Sequence, residues 1–147
     1  MHKVSNNPCG FCGGDLCSTS LEVTGTKRQV KTNCQFYCPF KYGSAQKSTK
    51  SSPCTNVPIK CPHCSETIWK YNAIDHITLR HNILLNNIGL DPSFILEVQL
   101  SEEEEMRMGI LKELVTDYRT KHSDLFPDLT VIEAKAQDTR VSKKRRR

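Results

Sequence analysis

A small α+β fold, built as two cysteine-bearing modules followed by a helical segment, is predicted by three observations. Two Cys-x-x-Cys pairs, Cys9 with Cys12 and Cys61 with Cys64, are each followed by further cysteines or histidines. Apolar residues make up 37% of the 147 residues and mean hydropathy is -0.51. Glycine, proline, serine and lysine crowd the stretch before position 60, so that half cannot bury a large core. Beyond position 90 the apolar residues recur at helical spacing. Soft ligands clustered where the core is thin place the chain in a small metal-stabilised class.

The compartment decides whether eight cysteines cross-link or bind metal. The start, MHKVSNNPCG, has no apolar signal region, and no stretch approaches the roughly 20 apolar residues of a membrane span. A reducing interior and no membrane contact are therefore expected, and there cysteines mixed with histidines bind zinc more often than each other.

Residues 1–43 read as a first module. In PCGFCGG, Cys9 and Cys12 form a knuckle whose glycines permit the close turns that a pair of sulfurs needs. Two short strands, 18–23 and 28–32, flank the turn Thr24-Gly25-Thr26-Lys27, and the second delivers Cys34 with Cys38 four residues on. Knuckle, hairpin, knuckle is a zinc-ribbon-like plan. One tetrahedral site takes four of six cysteines; Cys9, Cys12, Cys34 and Cys38 are the expected ligands. Cys17 reads as a small buried apolar residue of the first strand, and Cys54, in SSPCTNVP, is the leading substitute. Residues 44–58, including SAQKSTKSS, read as a solvated linker.

Residues 59–90 read as a ββα-like zinc finger with an extended helix. Cys61 and Cys64 supply two sulfurs from one turn, and His76 and His81 close the tetrahedron from a helix. Asn72 with Asp75 three residues on is a variant capping box. His76 and His81 are five helical steps apart, about 140° past a full turn, so His81 must reach round or the helix must loosen. Ile68 and Ile74, with Trp69 and Tyr71 beside them, supply a small core, while His63 reads as an exposed loop residue. Ile74, Ile77, Leu84 and Ile88 extend the helix to a stop at Gly89.

Residues 61–81 resemble the two-cysteine, two-histidine zinc-finger class, and PCTNVPIKCPHC with WKYN is similar to uncharacterised fungal zinc-finger proteins. The resemblance covers roughly residues 8–82, implies only a zinc-finger protein, and brings no known reaction or catalytic residue to the chain. A cross-braced alternative, with Cys9 and Cys12 joined to Cys61 and Cys64, and Cys34 and Cys38 joined to His76 and His81, would look like a ubiquitin-ligase RING.

Residues 91–126 read as a helical segment. Asp91-Pro92 opens one helix, and Ser101 with Glu104 forms a capping box for another. The acids 102–105 suit the positive end of the helix dipole. Met106, Ile110, Leu114 and Tyr118 line one face, against which Phe94, Ile95 and Val98 can pack, or which a protein partner can cover through residues 91–120. Residues 127–147 lose the pattern and end in KKRRR, the composition of a nuclear signal or a phosphate-binding tail.

Charge is uneven. Residues 1–90 carry ten Lys or Arg against four Asp or Glu, and residues 91–142 carry six against twelve. A basic, metal-held half can face a polyanion, with Lys60, Lys70 and Arg80 around the finger and Lys27, Arg28 and Lys31 on the hairpin as phosphate contacts. There is no His-Glu-x-x-His helix, no phosphate-cradling glycine loop and no deaminase signature, so the chain is not expected to be an enzyme. The expected function is nucleic-acid binding in the nucleus with two Zn2+ ions. The competing expectation is a zinc-dependent protein-interaction adaptor.

Overall fold

The computed structural model describes residues 7–83 and 91–121; the basic run at 143–147 lies outside them. Two antiparallel hairpins and a set of short helices form the expected small α+β fold. Strand β1 (Thr19–Thr24) pairs with β2 (Lys27–Thr32), from Thr19 opposite Thr32 to Thr24 opposite Lys27. Gly25 opens the two-residue turn at φ +60, a conformation that costs a glycine little.

The expected solvated linker is tied down at several points. A short helix, α1 (Tyr42–Ala45), straddles its start, and the Tyr42 hydroxyl donates to the Pro58 carbonyl at the linker's far end at 2.6 Å. Further along, the Ser48 carbonyl accepts from the Arg107 guanidinium at 2.9 Å.

Strand β3 (Pro58–Lys60) pairs with β4 (Thr67–Trp69), with Ile59 opposite Ile68, and the Cys61 knuckle connects them. A 3-10 turn, Lys70–Asn72, leads into helix α2 (Ala73–His81). Asn72 stands at the helix start as expected but makes no side-chain capping bond, because the preceding turn delivers the chain already coiled. Helix α2 ends at His81, and the expected continuation through Leu84 and Ile88 to Gly89 lies outside the described residues. Asn82 adopts the left-handed conformation at φ 54, its N–H turns back to the Ile77 carbonyl, and the helix stops at His81. Asparagine is the residue after glycine best suited to that stop.

The core joins Cys61, Ile68, Ala73 and Ile77 of the finger to Ile95 and Val98 of helix α3 (Pro92–Val98). Ile74 and Phe94 pack at its edge. Helix α3 was expected against the helices that follow; it lies on the finger instead. Two three-residue strands and a nine-residue helix bury little by themselves, and Ile95 and Val98, three residues apart on one face, supply the missing apolar surface. Asp91 caps α3 by accepting from the Ser93 N–H at 2.9 Å, with Pro92 in the first turn.

Helix α4 (Glu102–Arg107) starts with half of the expected capping box: the Ser101 hydroxyl accepts from the Glu104 N–H at 3.1 Å. The Glu104 side chain does not reciprocate. It turns inward, 3% exposed, and one carboxylate oxygen accepts from the Thr55 N–H at 2.9 Å, from the Thr55 hydroxyl at 2.6 Å and from the Tyr71 hydroxyl. Lys70 donates to the same Thr55 hydroxyl at 2.6 Å. Charged hydrogen bonds of this kind are the strong ones, and here they pin α4 to the finger. Gly109, at φ +77, then breaks the helix, so α5 (Lys112–Lys121) is separate from α4 and the expected stripe is split. Met106, Ile110, Leu114 and Tyr118 are all exposed.

The two hairpin modules touch. Gly10 lies against Trp69 so closely that a Cβ there would sit 2.3 Å from the indole. Phe11 meets the same ring edge-on at 5.0 Å, and the Leu21 N–H donates to the Thr67 hydroxyl at 3.0 Å.

Candidate metal centres

Each centre begins with a Cys-x-x-Cys loop closed by two backbone hydrogen bonds. In the first, the Cys9 N–H reaches the Gly14 carbonyl at 2.8 Å and the Gly13 N–H returns to the Cys9 carbonyl at 2.7 Å. In the second, Cys61 reaches Glu66 at 2.8 Å and Ser65 returns to Cys61 at 3.0 Å. Gly13 and Ser65 both adopt positive φ, 72 and 58. Loops of this shape aim two sulfurs at one point.

In the first centre Cys9, Cys12, Cys17 and Cys34 bring their sulfurs within 4.8 Å of one another. The structure thus gathers three of the four expected cysteines and exchanges Cys38 for Cys17. The hairpin register explains the exchange. Beyond Thr19 and Thr32, the Ser18 N–H donates to the Asn33 side chain at 2.8 Å and the Asn33 N–H to the Ser18 carbonyl at 3.2 Å. That places Cys17 across from Cys34. The chain then turns, with the Tyr37 N–H on the Cys34 carbonyl at 3.1 Å, and Cys38 is left exposed outside the group. Cys54, the expected substitute, is exposed and outside it too.

In the second centre Cys61, Cys64, His76 and His81 meet within the same 4.8 Å, as the sequence led one to expect. Both histidines present Nε2, His81 at 3.4 Å from the Cys61 sulfur and His76 at 3.4 Å from that of Cys64. His81 reaches the site from the last residue of α2, where Asn82 ends the helix. The grouping is consecutive, so the cross-braced RING-like arrangement does not occur.

Metal–ligand bond lengths test the fit. A tetrahedral zinc would set sulfurs about 3.8 Å apart and a sulfur about 3.6 Å from an imidazole nitrogen. The Cys12 and Cys17 sulfurs are 3.5 Å apart, and both sulfur–nitrogen separations are 3.4 Å. Either group can hold a metal ion.

Electrostatics point the same way. The Cys12 thiol is lowered, first by the Gly14 N–H and then by Cys17, whereas Cys17 is pushed up to about 12, first by Cys12 and then by Cys34. Burial raises Cys34 and Cys61. The neighbouring thiols thus hold Cys17 in its protonated form, and a cation at the site would favour its thiolate. Burial lowers His76, which favours the neutral imidazole that a metal requires.

Most of the expected phosphate contacts are engaged within the molecule. Lys31 pairs with Glu22 at 2.8 Å and Arg80 with Glu66 at 3.6 Å. Arg28 lies 5.1 Å over the Tyr42 ring, and Lys70 points at Thr55. Lys27 and Lys60 are exposed at the ends of strands. Sequence reasoning missed Glu104 as an anchor; its place in a capping box masked it, and only the fold brings it to Thr55 and Tyr71. No family model, no curated protein and no solved structure matches the chain.

Proposed function

We propose that this protein binds two structural zinc ions and uses its basic, metal-held half to contact nucleic acid in the nucleus. The observation that carries the metal reading is the pair of complete four-donor sets, one of four thiols and one of two thiols with two imidazoles. Thiolate and imidazole in a tetrahedron suit zinc, and four protein donors leave no open position for water or substrate, which is the arrangement of a structural and not a catalytic site. The second set keeps the ligand types of the two-cysteine, two-histidine finger class.

The excess of cations over residues 1–90 supports a polyanionic partner. With Arg80 and Lys31 in ion pairs, Lys70 turned toward Thr55 and Arg28 over Tyr42, the exposed Lys27 on the hairpin and Lys60 beside the finger knuckle are the candidates best placed for phosphate. The test is affinity at two salt concentrations. Binding at low salt that falls steeply as salt rises is expected; absence of binding at low salt would remove the nucleic-acid reading.

A second reading has its own observation. Leu114 and Tyr118 are exposed along α5, with Met106, Ile110 and Leu111 before it, a set suited to a protein-interaction adaptor. The nuclear reading rests on residues 143–147. Their removal from a fusion too large to diffuse through nuclear pores should move it to the cytoplasm with its zinc content unchanged; a truncated fusion that stays nuclear would refute it.

A further inference from the structure

We infer that the loop between β2 and α1 is a stacking platform for single-stranded nucleic acid, an inference that rests on the nucleic-acid reading above. The loop reads QFYCPFKY and carries four aromatic rings in eight residues. Tyr37, Phe40 and Tyr42 form a row with Phe11, and Phe36 precedes it in the chain. Phe11, from the first knuckle, meets Tyr37 edge-on at 5.3 Å and Phe40 at 6.3 Å, and Phe40 stacks with Tyr42 at 6.4 Å. Behind the row Phe11 is braced by the buried Trp69.

Part of the row is core and part of it is surface. A metal module short of apolar residues uses aromatics as its filling, which accounts for Phe11 and Trp69. It does not account for Phe36, 64% exposed, or Tyr37, 40% exposed. Two open rings at successive positions cost hydration free energy unless something covers them.

Charge names the occupant. The Arg28 guanidinium lies over the Tyr42 ring, Lys41 is exposed between Phe40 and Tyr42, and Lys27 stands at the hairpin tip. Open π-faces for bases with cations for the backbone are the combination by which single strands are held without sequence readout. A duplex fits poorly, because its bases already stack on one another and offer the rings no face. The platform is also set in advance: the Cys34 thiol anchors one end of the loop in the metal centre, and the Tyr42 hydroxyl ties the other to Pro58. Little conformational entropy is then lost on binding.

The test measures affinities of the zinc-loaded full chain for oligothymidylate, oligouridylate and a duplex of about 12 nucleotides, a length within single-strand site sizes. Single strands should bind more tightly than duplex. Phe36→Ala should weaken them by about tenfold while the salt slope and zinc content stay unchanged, and Phe36→Tyr should restore binding. Tyr37→Ala should act in the same direction, with zinc content as the check on folding. Tighter binding of oligothymidylate or of oligouridylate supports the platform equally and assigns it to DNA or RNA. Duplex binding that equals or exceeds single-strand binding, or a Phe36→Ala protein that binds like the parent, overturns the platform and leaves the broader reading standing. Absence of binding to all three probes overturns both.

Discussion

Residues 9–14 and 61–66 fold into the same loop from sequences that share only their two cysteines. Each closes with the same pair of backbone hydrogen bonds, and each puts the residue after its second cysteine in the left-handed region. In the first that residue is Gly13, free of strain; in the second it is Ser65, which pays a steric penalty. The modules diverge after the loops. The first closes its site with a hairpin and, among the described residues, buries only Leu21 besides Cys9 and Cys34. The second closes its site with a helix and adds Ile68, Ala73 and Ile77, the borrowed Ile95 and Val98, and the Glu104 anchor. The same ligand turn can thus be embedded in a module with little packing of its own or in one that packing supports.

Chelation should separate the two most sharply. Structural zinc contributes apparent binding energy on the order of 10 kcal/mol or more, beyond what the first module's few buried side chains can replace. With zinc removed, amide protection over β1 and β2 should vanish, while part of it persists over β4, α2 and α3. Equal loss in both modules would show that packing in the second counts for less than its burial implies.

Ligand substitution comes next in size. Cys17→Ala should reduce the zinc content from two ions to one, whereas Cys38→Ala should leave it at two. Mass spectrometry of the intact protein under native conditions reads the difference directly. Retention of both ions by Cys17→Ala would reassign the first site.

This substitution also marks where the sequence stopped being legible. The second site was readable because its ligands lie on a local loop and one helix, so spacing alone fixes them. The first depends on strand register. A two-residue turn at Gly25-Thr26 aligns Thr24 with Lys27 and Thr19 with Thr32, and the same ladder carried two positions further sets Cys17 against Cys34. The signal was in the sequence, but the nearness of Cys38 to Cys34 hid it. The two hairpins, the α3 and α4 caps and the α+β class were readable from local chemistry. The arrest of α2 at Asn82, the seat of α3 on the finger and the inward turn of Glu104 were not, since each is decided by contacts between distant segments.

The Glu104 anchor should give a moderate effect. Glu104→Ala leaves the Thr55 N–H and two hydroxyls without their buried acceptor, at a cost of about 3 kcal/mol, and should release α4 from the finger with both zinc ions retained. Hydrogen exchange over α4 would report it. The anchor also carries a pH dependence. Burial first, and the Glu104 carboxylate second, hold the Tyr71 hydroxyl above the ordinary tyrosine range. The folded state therefore keeps a proton that the unfolded chain releases near pH 10, and this contribution, complete below that pH, is lost as pH rises above it. Tyr71→Phe should flatten the alkaline fall in stability; an unchanged slope would assign that fall to other groups.

The smallest effect lies in the loops themselves. Ser65→Gly should stabilise the second module by about 1 kcal/mol and Gly13→Ser should destabilise the first by a similar amount, both read from denaturant midpoints in the presence of zinc. Changes of the opposite sign would mean that the left-handed turn is not where the two loops differ in energy.

X-ray absorption at the zinc edge tests the central claim most directly, because it reads ligand type and distance at the metal. A site of four thiolates and a site of two thiolates with two imidazoles average to three sulfurs and one nitrogen per zinc. The account predicts that average, with zinc–sulfur bonds of about 2.3 Å and zinc–nitrogen bonds of about 2.0–2.1 Å. A shell dominated by oxygen and nitrogen, or one with equal sulfur and nitrogen, would contradict the paired closed sites on which the rest depends.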